Sequence, residues 1–431
     1  MEQKCNSSAP FLLLSPGVAV LLAMLLSLLA PLSASFIVAA VLFYALAAGA
    51  ARARISPRSA RQSMLLVALG AGLNGYALFK GAHYQLASML GANLSIVSML
   101  VAVSFLPIVS KPSLASGERL PRGRRSAIGT FLSVHLFGAI INISSLQIHA
   151  ERLAANRPIS KAQLVLLSRG FTCAAFWSPF FAAMAVALSY APHAQILTLI
   201  PVGIGLCAFA LGYTYVELSR AGEMREFYGY PLRLESLWLP CVLTLLVFAF
   251  HYGFADLSIL YIITFCAPLL CLAVLCFKGE GVEPLKRHAQ GPLSKMGNEI
   301  VLFLSAGFFG YGIQQVLAVS ELTIFVSQFD FWAACGAYLF IVLLAMLGFH
   351  MVIGISIVAP VLLPLDPPHT VLAFVFLAAW GLGSAVSPLS GVNISLQGRF
   401  DVTGNTLLRW NLRYALAIST VTIAVLWVWY R

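Results

Sequence analysis

Long stretches free of Asp, Glu, Lys and Arg dominate this chain. They run 11–51, 86–110, 126–150, 170–216, 237–255, 257–277, 300–320, 331–365, 367–398 and 414–430. A helix needs about 20 apolar residues to cross the hydrocarbon of a bilayer. The pattern therefore predicts an all-α, polytopic integral membrane protein with about ten to twelve transmembrane helices. Continuous apolar runs of this length exclude a β-barrel, whose strands alternate over about ten residues.

Inside these runs an order of features occurs twice. Leu69-Gly70-Ala71-Gly72-Leu73-Asn74-Gly75-Tyr76 and Leu304-Ser305-Ala306-Gly307-Phe308-Phe309-Gly310-Tyr311 share the pattern L-x-A-G-x-x-G-Y. Each is followed by a histidine in an apolar run, His135 and His350, and then by a Ser-Pro pair, Ser178-Pro179 and Ser387-Pro388. Helices interrupted at matching places in two copies point to a secondary transporter with its site at the repeat interface. The expected organisation is an N-terminal helical pair (1–62), a first repeat (63–215), connecting helices with a basic loop (216–298) and a second repeat (299–431).

Composition removes the soluble classes. With 60% hydrophobic residues, 10% charged and a mean hydropathy of +0.91, too few polar side chains exist to cover a soluble surface. The net charge of +11 does not imply nucleic acid, because the basic residues are spread over short loops. They read as topology signals, with 52–61, 111–125, 220–233 and 278–295 as cytoplasmic loops. Arg152, Arg157 and Lys161 conflict with that count, lying one apparent span beyond loop 111–125. The segment Gln147 to Lys161 is mixed enough to lie in the interface, with a re-entrant hairpin after it. No zinc-spaced Cys/His cluster occurs, and no cofactor is expected beyond a coupling Na+ or H+.

Chemistry is expected where helices break. Proline lacks an amide hydrogen and glycine tolerates unusual backbone angles, so Gly383 to Ser395 cannot form one unbroken helix. Backbone groups freed at membrane depth must find protein, water or an ion. Gly383, Ser384, Ser387, Ser390, Asn393 and Ser395 are the candidate binding residues there, with Ser178 at the first break. Their short neutral oxygens suit a sodium ion or polar solute groups, and the half-helix after Pro388 favours an anion. His135 and His350 are proton-coupling candidates. Arg169 either draws an anion or marks the membrane edge, and Arg399 has the same two readings with Asp401 as its nearby partner.

Two copies, each with an interrupted segment ending in Ser-Pro and small polar residues, resemble the ion-transporter superfamily of secondary carriers. That group includes dicarboxylate/sodium symporters and gluconate and citrate permeases. The resemblance covers about 63–215 and 299–431. It implies two inverted repeats, each with a re-entrant hairpin whose tip meets substrate and coupling cation. The family's Ser-Asn-Thr tip is matched only in kind by Ser387 to Asn393.

The functional expectation is an ion-coupled permease for a small anionic solute. It would be a multi-pass protein of a cell membrane, the bacterial inner membrane, embedded in lipid and without nucleic acid, with a homodimer as the candidate assembly. A major-facilitator exporter is the alternative, although its G-x-x-x-D-R-x-G-R-R loop is echoed only by Gly123-Arg124-Arg125. A membrane-embedded glycan or acyl transferase is the third reading. No acid/base cluster or large loop supports an enzyme.

Overall fold

The computed structural model describes residues 15–110, 120–141, 143–155, 157–231, 238–254, 257–320 and 327–431, with the side chains of 140, 141, 144, 145 and 240 left aside. Local chemistry starts the first helices. Ser15 caps α1 (Pro16–Leu28), Ser33 caps α2 (Ala34–Ala50) and Ser56 caps α3 (Pro57–Phe79), each accepting a backbone amide. Two of the three carry proline in the first turn, where its missing hydrogen costs nothing. Next come α4 (Leu86–Gly91), α5 (Leu94–Val103) and α6 (Leu106–Val109). Together they make one apolar stretch of spanning length.

The first departure from simple crossing follows. Helices α7 (Arg124–Ile141) and α8 (Ile143–Ala154) fold back on each other, with Ser133 Oγ 2.8 Å from His149 Nε2 and the Phe137 ring 5.8 Å from that of His149. The run 126–150 is thus a hairpin and not a span. This corrects the placement of the re-entrant segment: the hairpin precedes the loop, and Gln147 to Ala154 is its returning arm. It also removes the charge conflict. Arg122 and Arg157 both stack 4.4 Å from the Tyr228 ring, so they share one face.

From that basic face α9 (Lys161–Thr172) runs inward behind a Ser160/Gln163 capping box, and a 3-10 turn Cys173–Phe176 ends it. After a non-helical stretch, 177–181, α10 (Ala182–Tyr190) continues and α11 (Ile196–Arg220) returns. The chain then passes through α12 (Trp238–Gly253), α13 (Ile259–Phe277), α14 (Glu283–Gln290) and α15 (Gly297–Val319).

The second half repeats this order of elements from the other side. Helix α15 starts at the basic face, where Asn298 Oδ1 accepts from Ser56 N at 2.8 Å, and carries the chain away from it. Helices α16 (Phe331–Met346) and α17 (Met351–Leu362) form a hairpin, with Gly354 against Ile341 and Gly348 at its tip at φ +93. Next come α18 (His369–Val386), a break at 387–390, α19 (Gly391–Gln397) and the long α20 (Gly404–Trp429). The run 331–365 therefore also turns back.

Contacts show the two halves lying head to tail. The end of α10 meets the start of α18, with His193 N donating to His369 Nδ1 at 3.2 Å and Gln195 N to Thr370 Oγ1 at 3.0 Å, while Phe176 packs on Gly381 deeper inside. The two interrupted helices are thus antiparallel neighbours. Helices α11 and α20 are antiparallel as well: the pair Tyr213/Tyr414 lies 6.1 Å apart, and Gly205 and Ala424 face one groove. Seven described helical stretches are long and apolar enough to span, and no strand is present among the described residues. Residues 371–388, nearly all of α18 and the start of the break, are buried throughout, so α18 forms the centre and not the lipid surface.

The glycine strings have another role than the one assigned from sequence. Helices α3 and α15 pack side by side and parallel, since Gly70 meets Phe308 and Phe309, Gly312 meets Asn74, and Ser56 meets Asn298. Small residues let the backbones approach. Gly72 faces open space while Gly307 packs on Asn93, so the shared motif does not give the two glycines the same surroundings. The antiparallel partner of α15 is instead α4–α5, where Tyr84 lies 5.9 Å from Tyr311 and Asn93 Nδ2 donates to Phe303 O at 2.9 Å.

One surface helix gives a pH prediction. His288 on α14 is 5% exposed, hydrogen-bonded to Ser104 at 3.0 Å, and burial pushes its imidazole down to about 4. The unfolded ring takes up its proton near the ordinary value of 6.5. Stability carried by the neutral ring is therefore complete above 6.5 and declines as the pH falls toward 4. His288→Gln should flatten this part of the acid dependence of Tm, measured by nanoscale fluorimetry between pH 4 and about 7.

Candidate functional site

Both hairpin tips dock on the interrupted helix of their own half. At the first, Ser178 Oγ donates to Ala139 O at 2.6 Å and accepts from Phe180 N at 3.2 Å. At the second, Gly348 packs on Leu389 and Gly383 on Met351 and Ala345. A side chain at Gly348 would collide with Leu389, and its φ of +93 also favours glycine. The tip of the first hairpin reaches the second break as well, because Ile143 faces Gly391. From there α8 and α19 run in register: Gln147 Nε2 donates to Ser395 Oγ at 3.1 Å, and Glu151 pairs with Arg399. Arg399 therefore pairs across elements and not with Asp401.

The second break is narrower than its glycines suggest. Helix α18 stays helical through Gly383 and Ser384 to Val386, and only 387–390 leave the helix. Ser387 and Ser390 turn inward locally. Ser387 Oγ accepts from Leu389 N at 3.3 Å, and Ser390 Oγ caps α19 by accepting from Asn393 N at 3.2 Å. Ser384 is 4% exposed on the buried last turn of α18.

Asn393 is completely buried and closes the break. Its Nδ2 donates to Ala385 O at 3.0 Å and to Ser387 O at 2.8 Å, while its Oδ1 accepts from Ser168 Oγ at 3.3 Å. Ala385 O takes a second donor from Asn411 Nδ2 at 3.2 Å, and Pro388 O takes one from Gln397 Nε2 at 2.7 Å. The Ala385, Ser387 and Pro388 carbonyls at the break thus have protein partners already. In this arrangement they are not an open oxygen cage, and the Asn393 amide has no free hydrogen for a solute. Two amides that sequence reasoning missed, Asn411 and Gln397, share the load. Their only sequence signal is a polar residue on an apolar helix face.

Arg169 is enclosed by protein and not open to an incoming anion in this arrangement. It is fully buried, with Nε donating to Asn411 Oδ1 at 2.8 Å, one terminal nitrogen to Thr214 Oγ1 at 3.3 Å and Glu217 Oε2 at 2.5 Å, and the other to Trp410 O at 3.1 Å. Its plane lies 4.5 Å from the Tyr414 ring. A buried cation is tolerated only with such pairing.

The histidines occupy different places. His135 sits inside the first arm of its hairpin, and both ring nitrogens are engaged: Nε2 accepts from Trp177 Nε1 at 3.1 Å, which leaves Nδ1–H to donate to Gly170 O at 3.1 Å. A second proton would cost it the Trp177 bond. His350 instead caps the second arm of the other hairpin, its Nδ1 accepting from Val352 N at 3.2 Å, with its ring edge-on to Trp380 at 5.3 Å. The two are not equivalent positions. Among the described residues no group of three or more His, Cys, Asp or Glu side chains could hold a metal.

No family model matches the chain. No curated protein matches it in sequence. Among solved structures, the crystal structure of the Alcanivorax borkumensis YdaH transporter, described as having an unusual topology, is similar over 85% of this chain and 98% of that one, at 16% identity and a TM-score of 0.49.

Proposed function

We propose that the chain is an ion-coupled secondary carrier that moves a small anionic solute across a bacterial inner membrane without altering it. One observation carries this reading: two re-entrant hairpins start from opposite faces, and each tip rests on a backbone break inside the protein. Irregular backbone at membrane depth is tolerated where it is buried or lines a path, and broken helices at such a centre are how carriers build a site reachable from either side. Anion preference is supported by three helix N-termini, those of α8, α10 and α17, which begin at or beside the breaks. The coupling ion is Na+ or H+.

The test is uptake by liposomes holding the purified protein, with radiolabelled succinate and sulfate as probes and an imposed Na+ or proton gradient. Accumulation of either anion that collapses with the gradient is expected. Folded protein that accumulates neither under either gradient sinks the anion reading. Channel-like efflux that needs no gradient sinks coupling.

A further inference from the structure

We infer that Arg169, on the first interrupted helix, is a positioning residue for the second break; the inference rests on the reading that the solute meets that break. Two consecutive residues of α9 each hold the oxygen of a different amide. Ser168 Oγ donates to Asn393 Oδ1 at 3.3 Å and Arg169 Nε donates to Asn411 Oδ1 at 2.8 Å. Both amides then turn their nitrogens to one carbonyl, that of Ala385, at 3.0 and 3.2 Å.

The logic is one of orientation. A primary amide can present either its oxygen or its nitrogen to a neighbour. With donors placed against both oxygens, the nitrogens have one direction left, toward the last turn of α18. Arg169 and Ser168 thus set which face of Asn411 and Asn393 meets the broken backbone. Asn411 Nδ2 also bonds Leu407 O at 3.0 Å, so its other hydrogen is fixed within α20. The guanidinium itself is held by Glu217, Thr214 and Trp410 O. The path therefore runs from α11, through α9 and α20, to α18, and it ties the geometry of the second break to the helix of the first.

A lysine at 169 separates this role from mere charge. Its single ammonium can keep the Glu217 pair but cannot also serve Asn411 as the planar fork does. The experiment uses the full chain in nanodiscs, comparing wild type, Arg169→Lys, Asn411→Ala and the double variant. Hydrogen–deuterium exchange over residues 385–393 is read beside Tm. Each single variant should speed exchange there by about tenfold. The double should add little to the larger single effect, because both act on one path. With succinate as the probe, KM should rise by about tenfold with kcat nearly kept, whereas simple loss of folded carrier would lower the maximal rate alone. Wild-type exchange over 385–393 in Arg169→Lys, or additive effects in the double variant, overturns the inference. Faster, non-additive exchange with KM unchanged keeps the positioning role and overturns the placement of the solute at the second break.

Discussion

Replacing Asn393 by alanine is expected to lower anion uptake by at least about tenfold and to cost stability of about 2–4 kcal/mol. The change removes both donors that Asn393 gives to Ala385 O and Ser387 O, and it leaves Ser168 Oγ without its acceptor. Ala385 O keeps Asn411, but Ser387 O keeps only the local amide of Ser390 at 3.2 Å. Each buried polar group left unpaired costs about 1–3 kcal/mol, more than the hydrogen bond contributed in net terms. Asn393→Asp is the informative companion, because it retains the acceptor for Ser168 and loses both donors. It should behave like alanine in uptake. Thermal unfolding and vesicle uptake of succinate are the measurements, and an alanine variant with normal uptake and Tm would show that the break does not depend on this side chain.

The second large effect is expected at Gly203. This residue of α11 lies against the backbone of Phe176 at the end of the first interrupted helix, with a β-carbon there colliding with the Phe176 carbonyl and lying 2.8 Å from the Trp177 β-carbon. The obstacle is backbone, which cannot swing aside as a long side chain can. Gly203→Val should therefore cost at least about 3 kcal/mol, beyond the usual penalty of overpacking, and sharply reduce folded protein recovered from membranes. Gly205→Val, on the same helix with open space around it, should be tolerated. Equal recovery of both variants, read by fluorescence size-exclusion chromatography, would contradict the close approach of α11 to the first break.

The contrast between these glycines shows how far the string could be read. Both Gly72 and Gly70 stand in the same short glycine-rich motif, yet only Gly70 meets another helix closely. Composition marks a helix fit for close approach, but the face that receives a partner depends on where the partner lies. The same holds for the histidines. His135 and His350 share an apolar context and a position ahead of a Ser-Pro pair, and the fold puts one inside an arm and the other at a tip.

By itself the sequence determined that the chain is a polytopic helical membrane protein, and that two helices break at Ser178-Pro179 and Ser387-Pro388. Both conclusions rest on local physics: apolar length against bilayer thickness, and a proline that removes a donor where no water can replace it. Only the tertiary structure decided which apolar runs cross and which turn back, since 126–150 and 331–365 have the same composition either way. It also decided the partners of the polar groups. Arg169 meets Asn411 from 242 positions away and Ser168 meets Asn393 from 225. Whether a buried arginine waits for an anion or braces a neighbouring helix is set by such distant pairings, which local pattern does not encode.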